Sequence, residues 1–169
     1  MKTAMIELDD IDRRIVAALQ AEGRLAMVDL ADKVGLSATP CQRRVKRLEG
    51  EGVITRYAAL VSPLAVGLGL QALVQVTLDD HSEKTVEAFE AAIRAHPEVV
   101  ACYAVTGDMD FLLHVLAPDL ASFSDFALKA LLRMPGVRGT RSSFIMQAVK
   151  SDLAWAPQPA AQPSARARK

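Results

Sequence analysis

One stretch of the chain concentrates positive charge. Between Ser37 and Arg47 there are four cations and no anion. At about 100° per residue, Cys41, Val45 and Leu48 fall on one side of a helix, so most of the basic residues gather on the opposite side. Arg and Gln near the start of such a helix can read base edges, and Lys and Arg neutralise phosphates. The candidate DNA contacts are Ser37, Thr39, Pro40, Gln42, Arg43, Arg44, Lys46 and Arg47, with Arg56 as a further phosphate contact.

A basic helix face is often only a solvated surface. The elements that precede the helix therefore indicate whether this face binds DNA. Apolar spacing predicts helices over Leu8–Ala21 and Met27–Val34. Gly35 ends the second helix, and Ser37 is the natural N-cap of a third that runs to about Glu51. Residues 53–61 read as one or two short strands. This order predicts a winged helix-turn-helix over residues 1–61, with the basic helix as its DNA reader.

A second candidate site is a turn that carries two carboxylates, Asp108 and Asp110, beside Gly107. A carboxylate can pair with the ammonium of an α-amino acid, and backbone N–H groups of the turn can receive the ligand carboxylate. Asp and Gly are also common in polar hairpin turns, and that alternative stays open. The candidate effector-binding residues are Thr106, Gly107, Asp108 and Asp110, with Thr140, Arg141 and Ser142 from the neighbouring strand.

The region that holds this turn has a different pattern from the first 61 residues. A linker over residues 62–69 leads into the order β-α-β-β-α-β over residues 70–153, with strands near 70–78, 99–105, 111–116 and 137–149. Helices are expected over 82–95 and about 120–134. The repeated Pro-x-Val before the second and fourth strands is typical of a ferredoxin-like split βαβ domain. The fold class is therefore α+β, and the tail 154–169 is expected to be disordered.

Other functions have weaker support. Asp108 and Asp110 could form an acid–base pair or bind Mg²⁺, and His114 lies four residues beyond Asp110. The histidines show no zinc spacing, and no nucleophile motif or phosphate loop is present. We therefore expect no enzyme, no metal and no cofactor. A DNA-architectural protein that ignores small molecules remains the second alternative.

Composition and hydropathy indicate the compartment and the association state of the protein. The chain has 20 basic and 20 acidic residues, so no overall field marks a nucleic-acid binder, and 51% of its residues are hydrophobic. Cys41 and Cys102 are too few for a disulfide framework and are expected to be buried thiols in a reducing cytoplasm. The acidic N-terminus is unlike a secretory signal, and polar interruptions argue against a membrane span near residues 57–78. The strands are apolar on both faces, so a helix-free sheet face predicts two-fold self-association.

Two sets of motifs together resemble the Lrp/AsnC family, the feast/famine regulators. The first set is Leu8-Asp9-x-x-Asp12, Leu30-Ala31-x-x-Val34-Gly35-Leu36-Ser37 and Pro40-Cys41-x-x-Arg44-Val45-Lys46-Arg47-Leu48-Glu49. The second is Val105-Thr106-Gly107-Asp108-x-Asp110-Phe111-Leu112-Leu113, then Pro135-Gly136-Val137 and Thr140-Arg141. The resemblance covers roughly residues 6–153.

This resemblance implies a transcription regulator that binds double-stranded DNA and an amino-acid effector. It also implies dimers that assemble into octamers or similar discs, with the acidic turn at a contact between subunits. Phe111 joins the candidate effector site at a place where family members often have Tyr. Loss of that hydroxyl puts one ligand contact in doubt and favours an apolar effector.

Overall fold

The computed structural model describes residues 6–150. They form two compact units, one ending at Ala59 and the other running from Leu60 to Val149. The predicted tail 154–169, and the last residues of the predicted second domain, lie outside the described residues.

The first unit contains the three expected helices, α1 (Asp10–Ala21), α2 (Met27–Val34) and α3 (Ala38–Gly50). Asp9 is the N-cap of α1 and forms a capping box with Asp12. Gly35 follows α2 in a left-handed conformation with φ 72°, which ends the helix as the sequence predicts. Ser37 is the N-cap of α3, but its hydroxyl makes no capping hydrogen bond.

Apolar faces of the three helices meet in a small core. It has seven fully buried members, and Leu8, Ile11, Leu19, Val53 and Ile54 are among the partly buried residues that pack against it. The buried members are Ile15, Leu30, Ala31, Val34, Cys41, Val45 and Leu48.

The predicted wing strands are not formed in the described structure. Residues 53–61 contain no strand. The Ile54 N–H donates to the Leu48 carbonyl at 3.0 Å, and the Tyr57 hydroxyl donates to Glu49 at 2.9 Å. These contacts hold the segment against α3, so its apolar residues serve the helical core. A strand needs a paired neighbour, and the pattern of Val53 and Ile54 alone does not provide one.

The second unit is a four-stranded antiparallel sheet with the strand order β2-β3-β1-β4. This is the βαββαβ arrangement predicted from the sequence. A short 3₁₀ turn, Leu64–Val66, precedes it within the predicted linker. The elements are β1 (Leu70–Leu78), α4 (Glu83–Ile93), β2 (Val99–Ala104), β3 (Phe111–Ala117), α5 (Leu120–Asp125) and β4 (Val137–Phe144).

Two predicted elements differ from the structure. The helix expected over 120–134 is α-helical only through Asp125, and continues as a π segment over 126–130 and a 3₁₀ turn over 131–133. Strand β4 ends at Phe144 instead of near Val149. The Ile145 N–H still donates to Gln71, and the same register would place residue 146 opposite Leu70, where β1 begins, so residues beyond 146 have no neighbouring strand to pair with.

The core of the second unit lies between the helices and one face of the sheet. Alternate residues of β1 and β3 point into it, among them Val74, Leu113 and Phe111. Phe111 packs on Phe89 of α4, with ring centroids 4.7 Å apart.

The helix-free sheet face is mixed rather than uniformly apolar. Register pairs Leu73 with His114 and His114 with Ala101, and Gln71 hydrogen-bonds His114 at 3.1 Å. Leu73 and Tyr103 are exposed there.

The two cysteines occupy different environments. Cys41 is fully buried in the first core, and burial raises the pKa of its thiol. Cys102 is exposed on the edge strand β2, which corrects the expectation that both are buried. An edge strand has a neighbour on only one side, so its central residues can remain at the surface. Within residues 6–150, none of the helices has the length and apolar content needed to cross a membrane.

Candidate DNA-binding surface and ligand cleft

The outward face of α3 carries two cations without internal partners. Arg43 and Lys46 are exposed, and neither makes an ion pair or hydrogen bond with any residue between 6 and 150. Thr39 and Gln42 are exposed beside them, and Pro40 is partly buried in the first turn. These side chains are positioned as the helical periodicity predicts. They form a polar, positively charged surface along the outward face of the helix.

Arg44 and Arg47 are arranged differently from Arg43 and Lys46. The Arg44 guanidinium donates to Asp9 at 2.6 Å and to Asp12 at 2.8 Å. Arg47 donates to the other carboxylate oxygen of Asp12 and also lies 3.9 Å from Glu51. The sequence predicts both arginines as DNA contacts, but the structure pairs them with Asp9 and Asp12 at the start of α1. Their role toward DNA stays a prediction.

These ion pairs shift the pKa values of Asp9 and Arg44. The backbone N–H of Asp12, followed by the Arg44 guanidinium, lowers the pKa of Asp9 to about 2. The two carboxylates in turn raise the pKa of Arg44 above its usual value. Asp9, Arg43, Arg44 and Arg47 line an open cleft of about 440 Å³ on the first unit.

The two remaining predicted DNA contacts are also at the surface. Ser37 is exposed, and its hydroxyl is free of a capping bond. Arg56 is exposed in the segment after α3 and makes no ion pair within residues 6–150.

In the second unit, a cleft of about 260 Å³ lies between the acidic turn and β4. Antiparallel register brings β4 beside β1, with Gln75 opposite Arg141 and Val76 opposite Thr140. The acidic turn follows β2, and places Asp108 at the cleft. The lining residues are Gln75, Thr77, Asp108, Met109, Gly139, Thr140 and Arg141.

Three of the predicted effector residues therefore meet in one cleft, namely Asp108, Thr140 and Arg141. Four lining residues were not predicted. The alternation of polar and apolar residues in β1 was the available signal for Gln75 and Thr77, because it puts both on the face opposite the core. Met109 and Gly139 carry no comparable signal.

Asp110 has a structural position instead of a lining one. One of its carboxylate oxygens accepts the Leu78 N–H at 2.7 Å, and the other lies 2.6 Å from Nε2 of His81. Its side chain is only 18% exposed. The Leu78 N–H, and then His81, lower the pKa of the Asp110 carboxyl. This carboxylate ties the turn to the end of β1, a contact that turn composition did not reveal.

The other predicted effector residues do not line the cleft. Phe111 is buried in the hydrophobic core, since residue 111 begins the alternation that points into the core from β3. Thr106 and Gly107 are exposed in the turn, and Gly107 has a φ of 121°. Ser142 lies opposite Val74, on the sheet face away from Arg141.

Metal chemistry finds no support in the described part of the chain. Between residues 6 and 150, no group of three or more His, Cys, Asp or Glu side chains is placed to hold an ion. The arrangement can offer one anionic and one cationic side chain to a small polar ligand in the second unit, and a basic surface to an anion in the first.

Each half of the chain is similar to a known protein family. Residues 8–55 match the winged helix-turn-helix DNA-binding family, and residues 71–155 match the Lrp/AsnC ligand binding domain. The leucine-responsive regulatory proteins of Salmonella typhimurium and Escherichia coli K12 are 41% and 40% identical over 144 residues. In both cases the match covers 85% of this chain and 88% of the relative.

Solved structures give the same result. A transcriptional regulator from Neisseria meningitidis, in complex with L-Met, is 42% identical with a TM-score of 0.85, covering 88% of this chain and 96% of that one. A feast or famine regulatory protein from M. tuberculosis, complexed with L-methionine, is 36% identical with a TM-score of 0.81, covering 89% and 100%. These relatives are regulators and not enzymes. With its DNA-binding helix-turn-helix and its ligand-binding domain in the same order, the chain belongs to the Lrp/AsnC family of transcription regulators.

Proposed function

We propose that this regulator senses a free amino acid in the cleft between the acidic turn and β4. The observation that carries the proposal is the presence of Asp108 and Arg141 in the same small cleft. An α-amino acid has an ammonium and a carboxylate on the same carbon atom, and these two side chains are their natural charge partners. Gln75, which lies opposite Arg141, adds a neutral hydrogen-bonding side chain to the same wall.

The relatives suggest which amino acids to examine first. Structures from N. meningitidis and M. tuberculosis are described with L-methionine, and the curated relatives are named leucine-responsive. The cleft volume of about 260 Å³ is slightly below the usual range of ligand pockets, about 300–1,000 Å³, so a small ligand fits it better than a large one. Methionine and leucine are therefore the first candidate effectors.

For DNA, we assign the central contacts to Arg43 and Lys46, because they are exposed and have no internal partner within residues 6–150. Gln42 and Thr39 are positioned for base edges beside them, and Ser37, Pro40 and Arg56 for the backbone. Arg43→Ala should weaken a specific site by about 1–3 kcal/mol if it contacts a guanine.

Assembly and location complete the proposal. The helix-free face, with exposed Leu73 and Tyr103, would join two copies in a two-fold contact, and such dimers would assemble into an octamer or a similar ring. Binding at the acidic turn would alter that assembly if the turn lies at a subunit contact. The protein would act in the cytoplasm, where its DNA is.

A melting-shift screen of the full chain with each of the twenty amino acids tests the sensor proposal. A ligand that binds the folded state raises the melting temperature in a concentration-dependent way. Asp108→Asn and Arg141→Gln should each abolish the shift. Glu87→Gln on α4 and Arg133→Gln after α5 are matched controls, because both residues are exposed and have no ion pair within residues 6–150.

Three outcomes would count against the proposal. No shift with any amino acid in wild type would favour a DNA-architectural protein without an effector. A shift that survives in both cleft variants would place the sensor elsewhere. A shift lost equally in the control variants would show that the change reflects general destabilisation.

A further inference from the structure

The first unit contains one buried carboxylate, and the contacts that compensate its charge come from outside α1. Within residues 6–150, Asp12 is the one polar or charged residue that is buried, with 1% of its surface exposed. A buried carboxylate is costly unless it is paired. Its partners come from the DNA-reading helix α3, so the cost of burying this carboxylate is offset by Arg44 and Arg47.

The geometry constrains α3 at two points. Arg44 and Arg47 are three residues apart and therefore neighbours on one side of the helix. Each binds a different oxygen of the same carboxylate, and Arg44 also binds Asp9. Packing of its apolar face into the core already restricts α3. Two contacts to one buried group further resist rotation of the helix about its axis and sliding along it, and thereby hold the direction in which Arg43 and Lys46 point.

The same contacts alter the charge available to DNA. The carboxylates of Asp9 and Asp12 balance the guanidiniums of Arg44 and Arg47. For either arginine to give its full charge to a phosphate, its guanidinium would have to be shared with a carboxylate or withdrawn from it. Arg43 and Lys46 face no such cost, because they have no ion pair within residues 6–150.

We propose that Asp12 is a positioning residue for DNA recognition: it holds Arg44 and Arg47 on the protein side of α3, orients the helix, and leaves Arg43 and Lys46 as the cations of α3 that contact phosphates and bases. This inference goes beyond the assignment of α3 as the DNA-reading helix, and depends on it. It divides the four cations of α3 into two that bind DNA and two that orient the helix through ion pairs within the protein.

The salt dependence of DNA binding tests this division, because each phosphate contact adds about one unit to the slope of log affinity against log salt. Binding of the full chain to a labelled mixed-sequence duplex is measured between about 50 and 200 mM salt. Arg43→Gln and Lys46→Gln should each reduce the slope by about 1. Arg44→Gln and Arg47→Gln should leave it unchanged.

Asp12→Asn leaves Arg44 paired with Asp9 but leaves Arg47 only its longer contact with Glu51, so it should make the slope steeper by about 1. Asp10→Asn is the matched control, because it removes an equal charge from an exposed α1 residue that has no ion pair within residues 6–150. The triple variant Asp12→Asn/Arg44→Gln/Arg47→Gln should return to the wild-type slope. Asp12→Asn should also reduce the preference for a duplex selected by the wild-type chain by about tenfold, the value of one good base contact.

A purely structural Asp12 would lower the melting temperature without changing the slope or the sequence preference of the folded fraction, and that result would overturn the proposal. A slope reduced by about 1 in Arg44→Gln or Arg47→Gln would also overturn it. Those single variants keep Asp12 and decide the question even if Asp12→Asn fails to fold. Unchanged slopes in Arg43→Gln and Lys46→Gln would instead reject α3 as the DNA surface, so the two failures are distinguishable.

Discussion

The two units of this regulator use charge in opposite ways. The first has a core of seven buried apolar residues and places a carboxylate, Asp12, inside its structure. The second has a core of fourteen buried residues, all apolar, and the charged groups of its described part are at or near the surface. In the first unit ion pairs orient a helix, whereas in the second the sheet already orients Asp108 and Arg141.

This difference has a physical basis. Three short helices are held mainly by side-chain packing, and specific contacts such as those of Asp12 add to the resistance of α3 to rotation. A strand is fixed along its whole length by backbone hydrogen bonds to its neighbours. Charges on β4 and on the turn after β2 are therefore free to face a ligand. We therefore expect the stability of the second unit to depend mainly on packing, and that of the first unit to depend also on its buried charge.

The largest effect is expected in the core of the second unit. Phe89→Ala removes a fully buried ring that packs on Phe111, and should lower the free energy of unfolding of that unit by about 3–5 kcal/mol. Hydrogen exchange with peptide resolution should show the loss in β1 and β3 amides and not in those of α3. Equal losses in both units would contradict the separation of the two cores.

A slightly smaller effect is expected at the buried carboxylate. Asp12→Ala should destabilise the first unit by about 3 kcal/mol, the lower end for breaking a buried ion pair, because Arg44 and Arg47 keep side-chain exposures of 28% and 43% and can be hydrated. Exchange should quicken in α1 and α3. Asp10→Ala serves as the exposed control and should change stability by less than about 0.5 kcal/mol. Similar losses for both variants would show that burial of the charge is unimportant.

The acidic turn allows a comparison within the second unit. Asp110→Ala leaves the Leu78 N–H without its carboxylate partner, and should cost about 1–3 kcal/mol of stability. Asp108→Ala should change stability by less than about 0.5 kcal/mol, because Asp108 is exposed. Thermal unfolding of the two variants measures the difference. If Asp108→Ala is the more destabilising, the division between a structural and a ligand-facing carboxylate is wrong.

The smallest effect concerns pH. The pKa of Asp9 falls from 3.8 to about 2 on folding, so its ionised form stabilises the folded unit. That contribution is complete above about pH 4, and is lost as pH falls through about 2. Its size should be below about 1 kcal/mol, since the Asp9 side chain is 51% exposed. Asp9→Asn keeps a capping group but should make acid unfolding of α1 less steep. An unchanged acid profile in that variant would remove Asp9 from the charge network.

The order of elements was predictable because its signals are local. Asp9 caps α1, Gly35 ends α2, and polar–apolar alternation identifies β1, while β3 is a short apolar run after a turn; none of these signals needs knowledge of a neighbour. Contacts between elements were not predictable in this way. A helical wheel gives the angle of Arg44 and Arg47 but not the presence of Asp12 beside them.

The same limit explains the remaining errors. Val53 and Ile54 have a strand-like pattern, yet the helical core takes them. Strand β3 is mostly apolar on both faces in sequence, so the pattern could not tell whether Phe111 faced the core or the ligand cleft. Asp108 and Asp110 are chemically identical and two residues apart, and only the position of the Leu78 N–H separates their roles.

The burial of Cys41 supplies a native reporter of motion. Partial burial also raises the pKa of the Cys102 thiol, but this residue is exposed and should be accessible to thiol reagents in the folded protein. Cys41 lies in the first core with no exposed surface, and burial raises the pKa of its thiol too. Because the reactive species is the thiolate, Cys41 should be modified only when the helices separate. The rate of Cys41 alkylation, followed by mass spectrometry, would therefore measure how often the DNA-binding unit opens, without an engineered label. Binding to DNA should lower that rate.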